Sequence, residues 1–425
     1  MTTDTILVGL AASAITVVLV LIVMNLGTGE KHIERRLERL YSVHDAQFQR
    51  SMGVLLGPPI LDGNHVETLV NGDAIFPAML DAIRGAKRTI TFETFIYWSG
   101  TIGKEFVEAL SERARAGVKT HVMLDFVGSM KMELESIETM RNAGVEVERY
   151  HKPVWWHLGR LNNRTHRKTL VVDGTVGFTG GVGIADNWRG HAEDPEHWRD
   201  THFRVTGPVV AQMQSVFNDN WIKATGRVLH GVEYFPPLEP AGEMGAQMFS
   251  SSPTGGSESM QLMYLMTITA AERTIDLSSA YFVPDRLARE ALTAAAKRGV
   301  RTRIIVPGKH IDTAVVRKAS RGLWGPLLEA GVQIAEFQPT MYHVKALVVD
   351  SCIVSVGSTN FDHRSFSLND EANLNVFHTN FALEQERVFE EDWKHARPIT
   401  FAAWRARPLR ERAIEWLAGL VRWQL

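Results

Sequence analysis

Two short strings in this 425-residue chain combine residue types that could do chemistry together. His166-Arg167-Lys168-Thr169-Leu170-Val171-Val172-Asp173 is followed, six residues on, by Gly180-Gly181-Val182-Gly183. His343-Val344-Lys345-Ala346-Leu347-Val348-Val349-Asp350 is followed at the same interval by Gly357-Ser358-Thr359-Asn360. Residues two apart on a strand point to one face, so each His and its Lys can meet one anion together. A neutral imidazole can attack the phosphorus of a phosphodiester and form a phosphohistidine, while a second, protonated imidazole donates to the leaving oxygen. Lysines and an amide side chain bind the non-bridging oxygens and stabilise the developing charge without a metal. A lone His on a strand is more often a packed or surface residue. Two at matching places, each with a Lys and an Asp at the same spacing, point to a site.

The apolar runs TLVV and ALVV read as buried strand, and Asp173-Gly174 is a two-residue hairpin signal. Asp173 and Asp350 complete the two strings but stand where turn residues belong, so they read as structural ahead of catalytic. Each string closes a longer unit that occurs twice. The first reads as strand TITFETFIYW, helix EFVEALSERARAGV, strand KTHVMLDFVGS, a helix to Arg141, and strand VEVERY. The second reads as TIDLSSAYFV, RLAREALTAAAKRGV, RTRIIVP, a helix to Glu329, and VQIAEF. This alternation predicts an α/β fold with right-handed crossovers and helices on both faces of each sheet. Two repeated α/β sandwich halves would pack about a pseudo-twofold axis and bring the strings together. The expected organisation is a transmembrane anchor over 1–29 and a juxtamembrane helix and linker over 30–58. The halves would then span 59–240 and 241–425. The polar helix is EKHIERRLERL, and Gly57-Pro58-Pro59 ends the linker.

Lys+Arg at 46 against Asp+Glu at 48 give a charge of -2, which argues against a nucleic-acid partner. With 45% hydrophobic and 22% charged residues the chain is globular and not disordered. The single cysteine, Cys352, excludes an intrachain disulfide and a zinc-thiolate cluster. An ammonium two residues from an imidazole repels a cation, so neither a metal nor another cofactor is expected. Thr5 to Leu26 carries no charge and, at about 1.5 Å per residue, is long enough to cross a hydrocarbon core of about 30 Å. A signal peptide would want a basic start and a small-residue cleavage site, so an anchor is preferred. Lys31, Arg35, Arg36 and Arg39 follow the run and no Lys or Arg precedes it, which predicts that the rest of the chain is cytoplasmic. Trp155 and Trp156, with His157, lie between Lys152 and Arg160 and suit either a lipid interface or a domain core. Leu409, Ala413, Trp416, Leu417 and Leu420 form a helical stripe, read as a docked terminal helix ahead of one whose Arg410, Arg412 and Arg422 face headgroups.

The two strings resemble the phospholipase D superfamily signature H-x-K-x4-D-x6-G-S-x-N, and the second matches it at every position. The resemblance spans roughly residues 60 to 400. The flanks are most similar to bacterial cardiolipin synthases: Asn360-Phe361-Asp362-His363-Arg364-Ser365 with Asn369 and Glu371, NRTHRK (163–168), WRDTHFRVTGPVV (198–210) and AYFVPD (280–285). It implies ping-pong transfer with His166 as nucleophile and His343 as acid, and phosphate binding by Lys168, Lys345, Ser358 and Asn360, with Arg364 also contacting substrate. It further implies that Asp200 orients His166 and Glu371 orients His343. The first string departs from the signature, with Gly181 for Ser and Gly183 for Asn. That loses up to two hydrogen-bonding groups, for which backbone N–H groups of the glycine-rich run could substitute. The implied activity moves a phosphatidyl group from one phosphatidylglycerol to another, releasing glycerol, in a single-pass protein of the bacterial inner membrane. The partners would be phospholipid and membrane, with no nucleic acid. A hydrolytic phospholipase D, a phosphodiesterase acting on nucleic acid, and a non-catalytic anionic-lipid binder are the alternatives.

Overall fold

The computed structural model describes residues 3–26, 33–152, 163–253 and 258–424. The first half contributes β1 (Leu61–Val70), β2 (Thr89–Thr94), β3 (Lys119–Asp125), β4 (Glu146–Tyr150), β5 (Arg164–Thr165), β6 (Thr169–Val172), β7 (Val176–Gly180) and β8 (Thr201–Thr206). The second contributes β9 (Met244–Ser251), β10 (Thr274–Ser279), β11 (Phe282–Val283), β12 (Arg301–Pro307), β13 (Gln333–Phe337), β14 (Lys345–Val349), β15 (Ile353–Gly357), β16 (Phe361–Asp362), β17 (Asn369–Phe377) and β18 (Ala396–Ile399). Outward from the centre the first half runs β1-β8-β7-β6-β2-β3-β4 and the second β9-β17-β15-β14-β10-β12-β13, with β18 on the edge. The same order occurs twice, and the halves join where β1 meets β9 antiparallel, at Leu61↔Ala246 and Asn64↔Met244. The repeat read from the sequence is therefore one continuous mixed sheet.

β2-β3-β4 and β10-β12-β13 are parallel, as crossover helices require. The signature strings instead form antiparallel hairpins, β6–β7 and β14–β15. Both faces of β6 are covered. Leu170 and Val172 pack with Ile75, Phe106 and Ile137 of helices on one side, and Val171 packs with Met213 of Val210–Thr225 on the other. Burial on both faces explains why these strands read as unbroken apolar runs. One core, with Val66, Phe203, Val205 and Met213 from the first half and Val354, Val356, Leu374 and Phe381 from the second, spans the junction. The relative placement of the two histidine motifs thus follows from a shared hydrophobic core.

The N-terminal and C-terminal readings meet the following outcomes. Of the run EKHIERRLERL (30–40), read as a polar helix, the described residues 33–40 have no regular secondary structure, and a helix forms later, at Ala46–Leu55. Arg286 Nη2 donates to the Glu34 carbonyl at 2.9 Å, and Arg39 pairs with Glu272 at 2.6 Å, so side chains of the second half tie this stretch down. Thr3–Leu26 is a single helix of 24 residues. Among the described residues no helix is long and apolar enough to cross a membrane. Trp155, Trp156, His157 and Arg160 lie outside the described residues. The terminal helix Leu409–Gly419 does dock, but through Glu415 and Ala418, leaving Leu409, Trp416, Leu417 and Leu420 exposed. Glu415 draws it inward by pairing with Arg407 at 2.9 Å and lying 3.6 Å from Arg321.

Candidate active site

Asp173 and Asp350 each adopt φ 52°, at the turn that follows the first hairpin strand. Asp173 accepts the backbone N–H groups of Lys87, Arg88 and Thr89 at 2.6–2.9 Å. Asp350 accepts those of Glu272, Arg273 and Thr274 at 2.7–2.8 Å. Both carboxylates are therefore spent pinning the hairpin to the start of the neighbouring strand, at the opposite end of their strands from the histidines. Their place in the signature is structural, and a catalytic role does not fit this geometry.

At the other end the two motifs meet across the junction between the halves. β5 runs parallel to the start of β17, with Arg164↔Asn369 and Thr165↔Asp370. An isolated parallel bridge, Arg199↔Tyr342, does the same for the other copy. His166 N–H donates to the Asp370 carbonyl and His343 N–H to the Arg199 carbonyl, both at 2.8 Å. Each histidine is thereby laid beside the acid of the opposite half. His166 Nδ1 is 3.0 Å from Glu371 Oε1 and Oε2, and His343 Nδ1 is 2.7 Å from Asp200 Oδ2. The carboxylates face the histidines as expected, but the pairing is the reverse of the one the resemblance implied. A carboxylate on Nδ1 fixes the proton there and leaves Nε2 with its lone pair, as a nucleophile needs.

The lysines curl back beside their histidines. Lys168 Nζ donates to the His166 carbonyl at 2.8 Å and Lys345 Nζ to the His343 carbonyl at 2.6 Å. Lys345 Nζ also lies 3.1 Å from His343 Nε2. His166, Lys168, His343, Lys345, Asp200 and Glu371 are all buried. Burial pushes His166 down to about 4, against the pull of Glu371, and His343 down to about 3, with Lys345 adding to the effect. Burial, and then the charge of Lys345, bring Lys168 down to about 7; burial brings Lys345 to about 8, against Asp200 and Glu371. Burial alone would raise Asp200 and Glu371, but the facing imidazoles and lysines hold both below the usual carboxylate range. The result is two neutral imidazoles on charged carboxylates, with two ammonium groups that an anion would stabilise.

The two carboxylates are held differently. Glu371 accepts from the Ser358 hydroxyl and, at 3.1 Å, from Asn369 Nδ2. Asp200 accepts from Trp188 Nε1 at 2.9 Å and Thr201 N–H at 2.8 Å. The Ser358 hydroxyl, expected on substrate, is thus engaged with Glu371. Trp188 takes the corresponding place in the first half, and both unusual glycines make room for this arrangement. A Cβ on Gly181 would lie 2.2 Å from Asp200 Oδ1, and one on Gly183 would meet Ile96 Cβ at 2.7 Å and the Trp188 ring at 3.2 Å. Trp188 and Trp198 stand at 5.2 and 5.6 Å from the His343 ring, and Phe95 at 5.1 Å from His166.

Asn360 is buried, and among the described residues its Oδ1 has no hydrogen-bond partner. Arg364 Nη1 donates to the Gln424 carbonyl at 3.2 Å, which ties it to the C-terminal tail. Sequence reasoning missed a buried brace behind His343. Arg199 forms a two-pronged pair with Asp392 at 2.7 and 2.9 Å, and Tyr342 also donates to Asp392 at 3.0 Å. The signal was the adjacency of Arg199 to Asp200 and of Tyr342 to His343. Among the described residues, Glu193, Asp194 and His197 could together hold a metal ion, on an exposed loop outside both motifs.

The family described as "Cardiolipin synthase, PLD-like domain" matches residues 79–221 and 264–393. A cardiolipin synthase of Geobacillus thermodenitrificans is 36% identical over 85% of this chain and 73% of its own length. Cardiolipin synthase A of Pseudomonas fluorescens is 35% identical over 82% and 73%. The crystal structure of phosphatidylserine synthase from Haemophilus influenzae shares the fold, with a TM-score of 0.68 at 14% identity, over 89% of this chain and all of that one. With both signature strings and most of its length accounted for, this chain belongs to the cardiolipin synthase family of phospholipase D-like proteins.

Proposed function

We propose that the chain is a phospholipase D-superfamily phosphatidyltransferase that makes cardiolipin from two molecules of phosphatidylglycerol. The observation that carries this reading is the convergence of two His-x-Lys motifs, each histidine held by a carboxylate of the opposite half. Both the family and the relatives named for cardiolipin synthesis support the substrate. His166 Nε2 attacks the phosphorus of the first phosphatidylglycerol, and the bond to the glycerol headgroup oxygen breaks. His343, protonated in the complex because the phosphodiester anion raises its proton affinity, donates to that oxygen, and glycerol leaves. The neutral His343 then takes the proton from a glycerol hydroxyl of the second phosphatidylglycerol, whose oxygen attacks the phosphohistidine and frees His166. Lys168, Lys345 and the Nδ2 hydrogens of Asn360 donate to the non-bridging oxygens.

On this reading residues 1–29 anchor the enzyme in the bacterial inner membrane, 30–58 link the anchor to the catalytic part, and 59–240 and 241–425 form that part on the cytoplasmic side. Expression in a membrane lacking cardiolipin tests it: the wild type restores the lipid and His343→Ala does not. No cardiolipin from either would reject it. Water in place of the second lipid would make phosphatidic acid, the product that distinguishes a hydrolase.

A further inference from the structure

A cleft of about 500 Å³ that shares no residue with the histidine site lies between Arg36 and the helix Arg286–Lys297. Its walls carry Arg36, Arg289, Lys297 and Arg298, together with Arg286, which pairs with the one lining carboxylate, Glu290, at 3.0 Å. Burial, and then nearby cations, lower Arg289 and Arg298: Arg422 acts on the first, Arg39 and Arg36 on the second. Cations gathered this way repel one another until an anion enters. A neighbouring groove of about 210 Å³ is mainly apolar, lined by Leu37, Leu40, Tyr41, Leu55, Leu262 and Met266, with Glu38 and an Arg39 that pairs with Glu272. Leu40 and Leu55 are 76% and 54% exposed there.

Cleft and groove adjoin. Arg36 and Leu37 are consecutive, and Arg298, in the cleft, donates to the carbonyl of Thr269, in the groove, at 3.0 Å. We propose that they hold one anionic phospholipid of the membrane, separate from the substrate, with its phosphate among Arg36, Arg289, Lys297 and Arg298 and an acyl chain in the groove. Basic side chains beside an apolar surface are the chemistry that recognises an anionic headgroup at a bilayer. The choice of membrane lipid over soluble phosphate rests on the apolar groove and on the reading of Thr3–Leu26 as an anchor, since Arg36 to Tyr41 follow that helix closely.

The test uses the full chain as His343→Ala, reconstituted in phosphatidylcholine vesicles with a minor fraction of phosphatidylglycerol bearing a photoreactive acyl chain. After irradiation, adducts are expected on peptides containing Leu37–Tyr41 and Leu262–Met266. Arg289→Gln/Lys297→Gln/Arg298→Gln should lower them by about tenfold, with adducts at the reaction centre unchanged. Arg36→Gln, exposed and outside regular secondary structure, should lower them in the same direction and covers the case in which the triple variant does not fold. Groove adducts that are absent, or unchanged in the variants, overturn the proposal. Loss of the adducts to millimolar inorganic phosphate rejects a lipid occupant. If the wild type transfers no phosphatidyl group while the groove adducts persist, only the catalytic reading fails.

Discussion

His166 Nδ1 lies 3.0 Å from the carboxylate of Glu371, a residue 205 positions later and in the other half of the molecule. With Asp200 on His343, this makes one reaction centre from four side chains that neither half contains alone. In the proton NMR spectrum of the folded enzyme, the downfield Nδ1–H signal of His166 should disappear in Glu371→Gln and persist in Asp200→Asn. The His343 signal should show the converse. Each substitution should also lower kcat by on the order of 10²- to 10⁴-fold, as when a histidine loses the carboxylate that orients it. Loss of the His166 signal in Asp200→Asn instead would contradict the crossed pairing.

Gly181→Ser restores the serine of the family signature, yet activity should fall, not rise. The new Cβ would sit 2.2 Å from Asp200 Oδ1 and push that carboxylate off His343. Displacements of about 1 Å at such a centre cost on the order of 10²-fold in rate, with about 1–3 kcal/mol of stability lost to overpacking. Steady-state kinetics beside a thermal melt check both, and a serine variant as active as the parent refutes the assignment.

Asp350→Ala separates scaffold from chemistry. It leaves three backbone N–H groups without their carboxylate. Stability should drop by about 2–4 kcal/mol, read as a lower melting temperature, while the folded fraction keeps kcat within about twofold. A collapse of kcat with unchanged stability would restore a catalytic role for this aspartate.

The free enzyme's lysines set the alkaline limit. Their charged forms bind phosphate, and their affinity for a proton lies at about 7 for Lys168 and about 8 for Lys345. As pH rises through 7 to 8 the ammonium charge is lost, so kcat/KM should decline, chiefly through KM. On the acid side the nucleophile His166 stays neutral down to about 4, so the falling limb should come only near pH 4. A profile that rises through pH 8 would show that these lysines do not bind the phosphate.

Much of this was legible because the strands and helices of the repeat are bounded by glycines and carry unambiguous apolar runs; RTRIIVP became β12 residue for residue, and KTHVMLDFVGS became β3 over its first seven residues. The crossed pairing was not, because order along the chain associates Asp200 with His166. Only the β5–β17 and Arg199–Tyr342 contacts, made after the halves join, assign the partners. The helical reading of residues 33–41 failed for a similar reason. Ile33, Leu37 and Tyr41 have helical spacing, but they pack on the second half while its Arg286 and Glu272 bind the chain there. The glycines of the first string read as losses. They are the space that Asp200 and Trp188 occupy.

The most direct test incubates the purified full chain with phosphatidylglycerol labelled in its headgroup glycerol and counts products by mass spectrometry. The account predicts one free glycerol for each cardiolipin formed, little phosphatidic acid, and no products from His166→Ala or His343→Ala. Phosphatidic acid and glycerol without cardiolipin, or cardiolipin formed by either histidine variant, would contradict it.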